Sequence, residues 1–128
     1  MIHMYTKKLS SEFEVGWISA FLEIKGVFTV NKIIIRRITK KGEKTYTYNN
    51  PVFYADSMDP TPLEIAGKVM GVGRVVKREG LYRLEIRKKK ELIKFAVFLS
   101  RCAFSRSKGE KIEKWRESVL QWKSRGIR

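Results

Sequence analysis

The chain has 128 residues, 43% of them hydrophobic, and a formal net charge of +15 from 28 Lys/Arg against 13 Asp/Glu. That is enough for one domain with its own core, and the charge makes a polyanion the leading partner, nucleic acid first and an anionic membrane surface second. His3 and Cys102 are the only residues of their kinds, which excludes disulfide frameworks, zinc fingers, Cys-His nucleophiles and Ser-His-Asp triads within one chain.

The longest apolar segment falls short of the ~20 residues of a membrane span, and no signal-peptide pattern opens the chain. The expectation is a soluble intracellular protein without a membrane partner, in a reducing compartment such as cytoplasm or organelle matrix, with Cys102 a core thiol. The basic excess is concentrated after residue 72. A merely solvated surface would interleave both signs in more equal numbers.

A single domain over residues 1–128 is expected, with 1–10 as a flexible N-terminal extension. Ser10 or Ser11 can cap a helix starting near Glu12, with Glu12 and Glu14 in the first turn and Gly26 at its end. Trp17, Ile18, Ala20, Phe21, Leu22 and Ile24 cover almost its whole circumference, so it must be buried on two sides. One side is the domain's own core. Small residues at Gly16, Ser19 and Ala20 suit close approach of an identical helix, giving an expected homodimer through Gly16, Trp17, Ser19, Ala20 and Glu23. The alternative is a central helix wrapped by its own chain.

"VFTVNKIIIRR" (Val27–Arg37) is β-branched and predicts a strand, then a turn over "TKKGEK" and a second strand, "TYTYNNPVFYADS". "DPTPLEIAGKVMG" opens with cap and proline signals and closes on Gly71, predicting a helix. "VGRVVKREGLYRLEIRKK" alternates about Glu79-Gly80 as a second hairpin. "KELIKFAVFLSRC" predicts a helix with an apolar face of Leu92, Phe95, Ala96, Phe98 and Leu99. The polar loop "SRSKGE" leads to a last helix bearing Ile112, Trp115, Val119, Leu120 and Trp122. The order is αββαββαα, an α+β domain with an antiparallel sheet and helices on one face.

Alternation sets Phe28 and Val30 against Thr29 and Asn31, and Tyr82, Leu84 and Ile86 against Arg83, Glu85 and Arg87. The second set forms an open face, polar and mostly basic. Arg36, Arg37, Lys40, Lys41 and Lys44 lie near one hairpin tip, with Arg74, Lys77 and Arg78 on the other hairpin. A solvated face is one reading. The other is groove binding, with basic groups on phosphates and Thr29, Asn31, Arg83 and Glu85 reaching base edges.

"ISAFLEIKG" (Ile18–Gly26) resembles the LAGLIDADG motif of homing endonucleases. The resemblance runs on through "GVF", "GVGRVVKREGLYRLEIRKKKELIKF" and "FSRSKGEKIEKW", covering residues 12–124. It implies a saddle-shaped antiparallel sheet, homodimers packed through motif helices, and a duplex read in its major groove. It also implies divalent cations held by the acid before the motif's closing glycine, where this chain has Lys25. A protonated lysine cannot ligate Mg²⁺.

Glu23 matches the motif's earlier acid, but it lies roughly 200° around the helix from Lys25. The family's polar second-strand residue has Val52 near its place, while Arg106 and Lys108 match basic residues near the scissile phosphate. The leading expectation is a nucleic-acid-binding protein of this fold without cleavage, needing no cofactor. It includes an RNA-directed role such as splicing assistance or a ribonucleoprotein component, with Lys25 of both copies on phosphates. The alternative is an active Mg²⁺-dependent homodimeric endonuclease cutting DNA, using Glu23 or a partner's acid. A third reading is an interaction protein whose charge only keeps it soluble. Duplex DNA and structured RNA both remain open as partners.

Overall fold

The computed structural model describes residues 11–125, so the expected extension, 1–10, lies outside the described residues. Helix α1 (Glu12–Lys25) begins in a capping box: the Ser11 hydroxyl accepts from the Glu14 amide, and Glu14 accepts from the Ser11 amide. Two of the helix's unpaired amides are thus satisfied where its dipole favours acid. Gly26 caps its other end, and the chain enters β1 (Val27–Thr39) without a turn. β2 (Gly42–Ser57), α2 (Pro60–Met70), β3 (Arg74–Arg78), β4 (Leu81–Ile86), α3 (Lys89–Leu99) and α4 (Arg106–Arg125) follow. Asp59 caps α2, and Gly71 closes it in the left-handed conformation that glycine adopts without strain.

The four strands are antiparallel in the order β1-β2-β4-β3. Phe28, Phe53 and Ile86 form one row of the helix-facing side, and Ala55, Leu84 and Val75 the next. Ile18 and Leu22 of α1, Leu63 and Ala66 of α2, Leu92 and Phe95 of α3, and Ile112, Trp115 and Val119 of α4 close over these rows. The architecture is therefore α+β, with the helices on one sheet face as expected. Phe28, Phe53, Phe95 and Trp115 form an aromatic centre with ring centroids 4.7–6.0 Å apart. Trp115 also donates its indole N–H to the Thr29 carbonyl at 2.9 Å, fastening α4 to the root of β1. Among the described residues no helix is long and apolar enough to cross a membrane.

Two predicted loops are largely regular structure. Strand pairing continues to Thr39↔Gly42, so only Lys40 and Lys41 form the turn, and Lys44 lies in β2. Gly42 permits this by taking φ 116°, while the Thr39 hydroxyl donates to the Gly42 carbonyl. In "SRSKGE", the Ser105 carbonyl accepts from the Gly109 amide at 2.7 Å. Arg106 and Lys108 consequently sit in the first turn of α4 instead of a loop.

Gly26 has no room for a side chain. A β-carbon there would lie 2.8 Å from the Leu22 carbonyl oxygen, 2.9 Å from the Phe28 ring and 3.1 Å from the Phe53 ring. Gly26→Ala should therefore lower stability by about 1–3 kcal/mol through overpacking, read as an earlier midpoint in urea denaturation.

Candidate nucleic-acid interface

Only five residues of β2, Phe53 to Ser57, pair with β4. The rest of β2 pairs with β1 alone, as a two-stranded ribbon running past the domain body for about ten residues, or ~33 Å. From Val30 to Asn49 its side chains are exposed. On the face that continues the open side of the sheet, Asn31 is opposite Asn50, Ile33 opposite Tyr48, Ile35 opposite Tyr46 and Arg37 opposite Lys44. The Arg37 guanidinium lies 6.0 Å from the Tyr46 ring centroid. The ribbon thus runs from amides at its root, through aliphatic and aromatic pairs, to a basic tip with Lys40 and Lys41.

Register corrects two of the expected open-face residues. Arg36 pairs with Thr45 and has the parity of Phe28, so it occupies the opposite ribbon face from Arg37. Lys77 pairs with Tyr82 on the helix side of the sheet, its ammonium 6.0 Å from that ring.

On the body, Arg83 and Glu85 belong to the open face but are not free. The Arg83 Nε and Nη2 donate to Asp56 Oδ1 and Oδ2 at 2.7 and 3.0 Å, while its guanidinium lies 3.9 Å over the Tyr54 ring. The hydrogen bonds to Asp56 outweigh desolvation and hold Arg83's affinity for its proton above the ordinary value. Glu85, only 8% exposed, is 3.8 Å from Arg78 and 3.4 Å from Arg87, so it orders two arginines instead of standing open to a base. Arg74, across from Glu85 on the edge strand, is exposed. Thr29 is half-buried opposite buried Val52.

At the tip of α1 the expected interface residues divide. Gly16, Ala20 and Ile24 are exposed, with Phe13 on the same stripe at 79% exposure. Half-buried Trp17 stacks on Phe21 at 5.6 Å. Ser19 is buried instead: its hydroxyl donates to the Val15 carbonyl and accepts from the Ala103 amide. Glu23 also faces its own chain, accepting from the Ser105 amide at 2.9 Å and the Ser105 hydroxyl at 2.7 Å. Both were expected against a second copy. They hold the α3–α4 linker, a role invisible without knowing that residues about eighty positions later return to α1. Beside Ser19, burial pushes the Cys102 thiol up.

Lys108 completes this junction by donating its ammonium to the Gly26 carbonyl at 2.8 Å. A carboxylate thus meets the start of α4 and an ammonium meets the end of α1, each favoured by the dipole it faces. Arg106 is 94% exposed beside Glu110. Lys25 is exposed and has no hydrogen bond or ion pair among the described residues. These residues do not fit a divalent cation within one chain. Both Glu23 oxygens already accept hydrogens, Lys25 brings positive charge, and no cluster of three Asp, Glu, His or Cys occurs among the described residues.

Neither a protein-family model nor a curated protein matches the sequence. Solved structures do. The homing endonuclease I-TnaI superposes with TM-score 0.65 and 25% identity, over 86% of this chain and 73% of that one. The group I intron-encoded homing endonuclease I-CeuI, complexed with DNA, gives TM-score 0.70 at 15% identity, over 95% and 62%. The LAGLIDADG meganuclease I-AabMI, bound to uncleaved DNA, gives 0.66 at 17%, over 85% and 38%. This chain therefore spans less than two thirds of the last two. The class defined is the LAGLIDADG homing endonuclease fold, and the chain is structurally similar to that family.

The Ser105 hydroxyl and amide, with Lys108 near, lower the Glu23 carboxyl pKa from its usual 4.5, against a smaller opposing desolvation. A depressed carboxylate stabilises above its unfolded pKa, and that contribution is lost as pH falls through the folded one. The stability difference between wild type and Glu23→Gln should thus be largest near neutrality and shrink as pH drops through and below 4.5, read by urea titration at several pH values.

Proposed function

We propose that the protein binds duplex DNA on its open sheet face and has lost metal-dependent cleavage at the α1 tip. The observation that carries this is the ribbon: ~33 Å of two-stranded sheet with exposed amides, aromatics and a basic tip. A two-stranded ribbon fits the major groove of B-form DNA, whereas the deep, narrow groove of A-form RNA does not admit side chains. I-CeuI and I-AabMI, which have this fold, are DNA complexes, which supports the same partner here. A formal charge of +15 supplies phosphate attraction.

A second identical chain covers the stripe of Phe13, Gly16, Ala20 and Ile24, because small residues allow close approach and flanking apolar ones supply buried area. Lys25 of both copies would then flank the symmetry axis and favour phosphate over a cation. Exposed Tyr46 and Tyr48 favour a second reading, stacking on unpaired bases of structured RNA. This is the chemistry of splicing assistance or of a ribonucleoprotein component.

Affinity for duplex DNA should fall steeply with salt, with two chains per duplex. Reversing Arg37 and Lys44 on the ribbon should weaken binding at least tenfold more than reversing exposed Lys111 and Lys114 on α4. Titration across duplex DNA, structured RNA and single strands at several salt concentrations reads this. Equal losses from both pairs defeat the ribbon assignment, and tighter binding to RNA favours the second reading.

Wild-type protein should leave DNA intact with Mg²⁺ or Mn²⁺, while Lys25→Asp gains divalent-cation binding measurable by calorimetry. Metal-dependent nicking by the wild type that Glu23→Gln abolishes would restore the active-endonuclease reading.

A further inference from the structure

The Asp56–Arg83–Tyr54 group lies at the middle of the open face, on the two central strands, where Asp56 and Arg83 are direct cross-strand partners. Its geometry leaves a specific part of the arginine unused. A guanidinium carries five N–H donors in a planar fork. Asp56 takes the Nε hydrogen and one from Nη2, and the Tyr54 ring fixes the plane at 3.9 Å. The remaining donors are both Nη1 hydrogens and the second on Nη2, and the outer Nη1–Nη2 edge is itself a two-pronged donor. Arg83 is 26% exposed, so the pair is neither a deep core bridge nor a loose surface one.

Stability does not account for so ordered a group, since partly exposed ion pairs contribute little to it. Charge does not either: the pair is formally neutral, and Asp56 repels a phosphate approaching Arg83. The rim offers better phosphate contacts in Arg74 on the edge strand and Lys40, Lys41 and Lys44 at the ribbon tip. A planar double donor, held still among groups that disfavour phosphate, suits a neutral acceptor pair. In the major groove the O6 and N7 of guanine form that pair.

We propose that Arg83 reads one guanine per chain through its outer guanidinium edge, with Asp56 and Tyr54 as positioning residues that hold the edge in place. The inference rests on the duplex-binding reading above and adds a base and a position to it. Because the clamp exists before DNA arrives, binding does not have to order a long side chain, and discrimination against other bases is sharpened.

The test is selection from a pool of randomised duplexes with the full chain, followed by affinity and salt-slope measurements on the selected duplex and its single-base variants. Wild type should select guanine at one position per chain. Arg83→Lys, which keeps the charge but loses the fork, and Asp56→Asn, which keeps the shape but loses the charge, should each reduce that preference about ten- to a hundredfold. Preferences at other positions and the salt slope should stay unchanged, and circular dichroism should verify the fold of each variant.

Unaltered preference in both folded variants overturns the clamp alone. A uniform loss over all sequences, with the salt slope reduced by about one, overturns it in favour of a phosphate contact. Failure of wild type to bind any duplex overturns this inference together with the interface reading.

Discussion

The structure depends on the passage from α1 into β1 at Gly26. No turn intervenes, and the backbone there is packed so tightly against the Phe28 and Phe53 rings and the Leu22 carbonyl that a β-carbon does not fit. This contact sets the angle between the helix and the strand that begins the sheet. The aromatic centre keeps that angle from the core side, and Lys108 on the Gly26 carbonyl and Glu23 on Ser105 keep it from the surface side. One consequence is that the exposed stripe of α1, its free lysine and the root of the ribbon form one rigid arrangement.

The ribbon has a different physical character. It has no helix over its outer half, and Ile34 and Ile38 stand 57% and 89% exposed on one face while Ile33 and Ile35 stand 41% and 37% exposed on the other. Uncovered two-stranded sheet is an aggregation hazard that folded proteins keep only with compensation. Here Arg36, Arg37, Lys40, Lys41 and Lys44 supply it as charge, which also makes the ribbon the most extended cationic element the fold offers. Exposed aliphatic side chains beside cations suit a DNA groove, where thymine methyls present apolar contacts between phosphates.

Acidic residues are few, and several of them organise their surroundings. Glu23 joins α1 to α4, Asp56 fixes Arg83, Glu85 draws Arg78 and Arg87 together, and Asp59 caps α2. In a chain so basic, each such carboxylate decides which cations are ordered and which stay free. Arg83 is ordered and Lys25 is free, and that difference separates a group suited to reading a base from one suited only to attracting phosphate.

Much of this was legible along the chain because its signals act over short distances. Ser11 with Glu14, Asp59 with Pro60, Gly71 and Gly80 mark helix ends and a turn through contacts within a few residues. Period-two alternation from Phe28 and Leu84 identified the face that meets the helices. The same alternation already carried the opposite parity of Arg36 and Lys77, but closeness to a hairpin tip was read in its place. Other features had no local signal. Glu23 meets Ser105 and Ser19 meets Ala103 across more than eighty residues, while Arg83 meets Asp56 across 27. A carboxylate's chemistry is the same in a metal site, an interface or a linker clamp. Its role is decided by which donors the folded chain brings within about 3 Å, and only tertiary packing determines that distance.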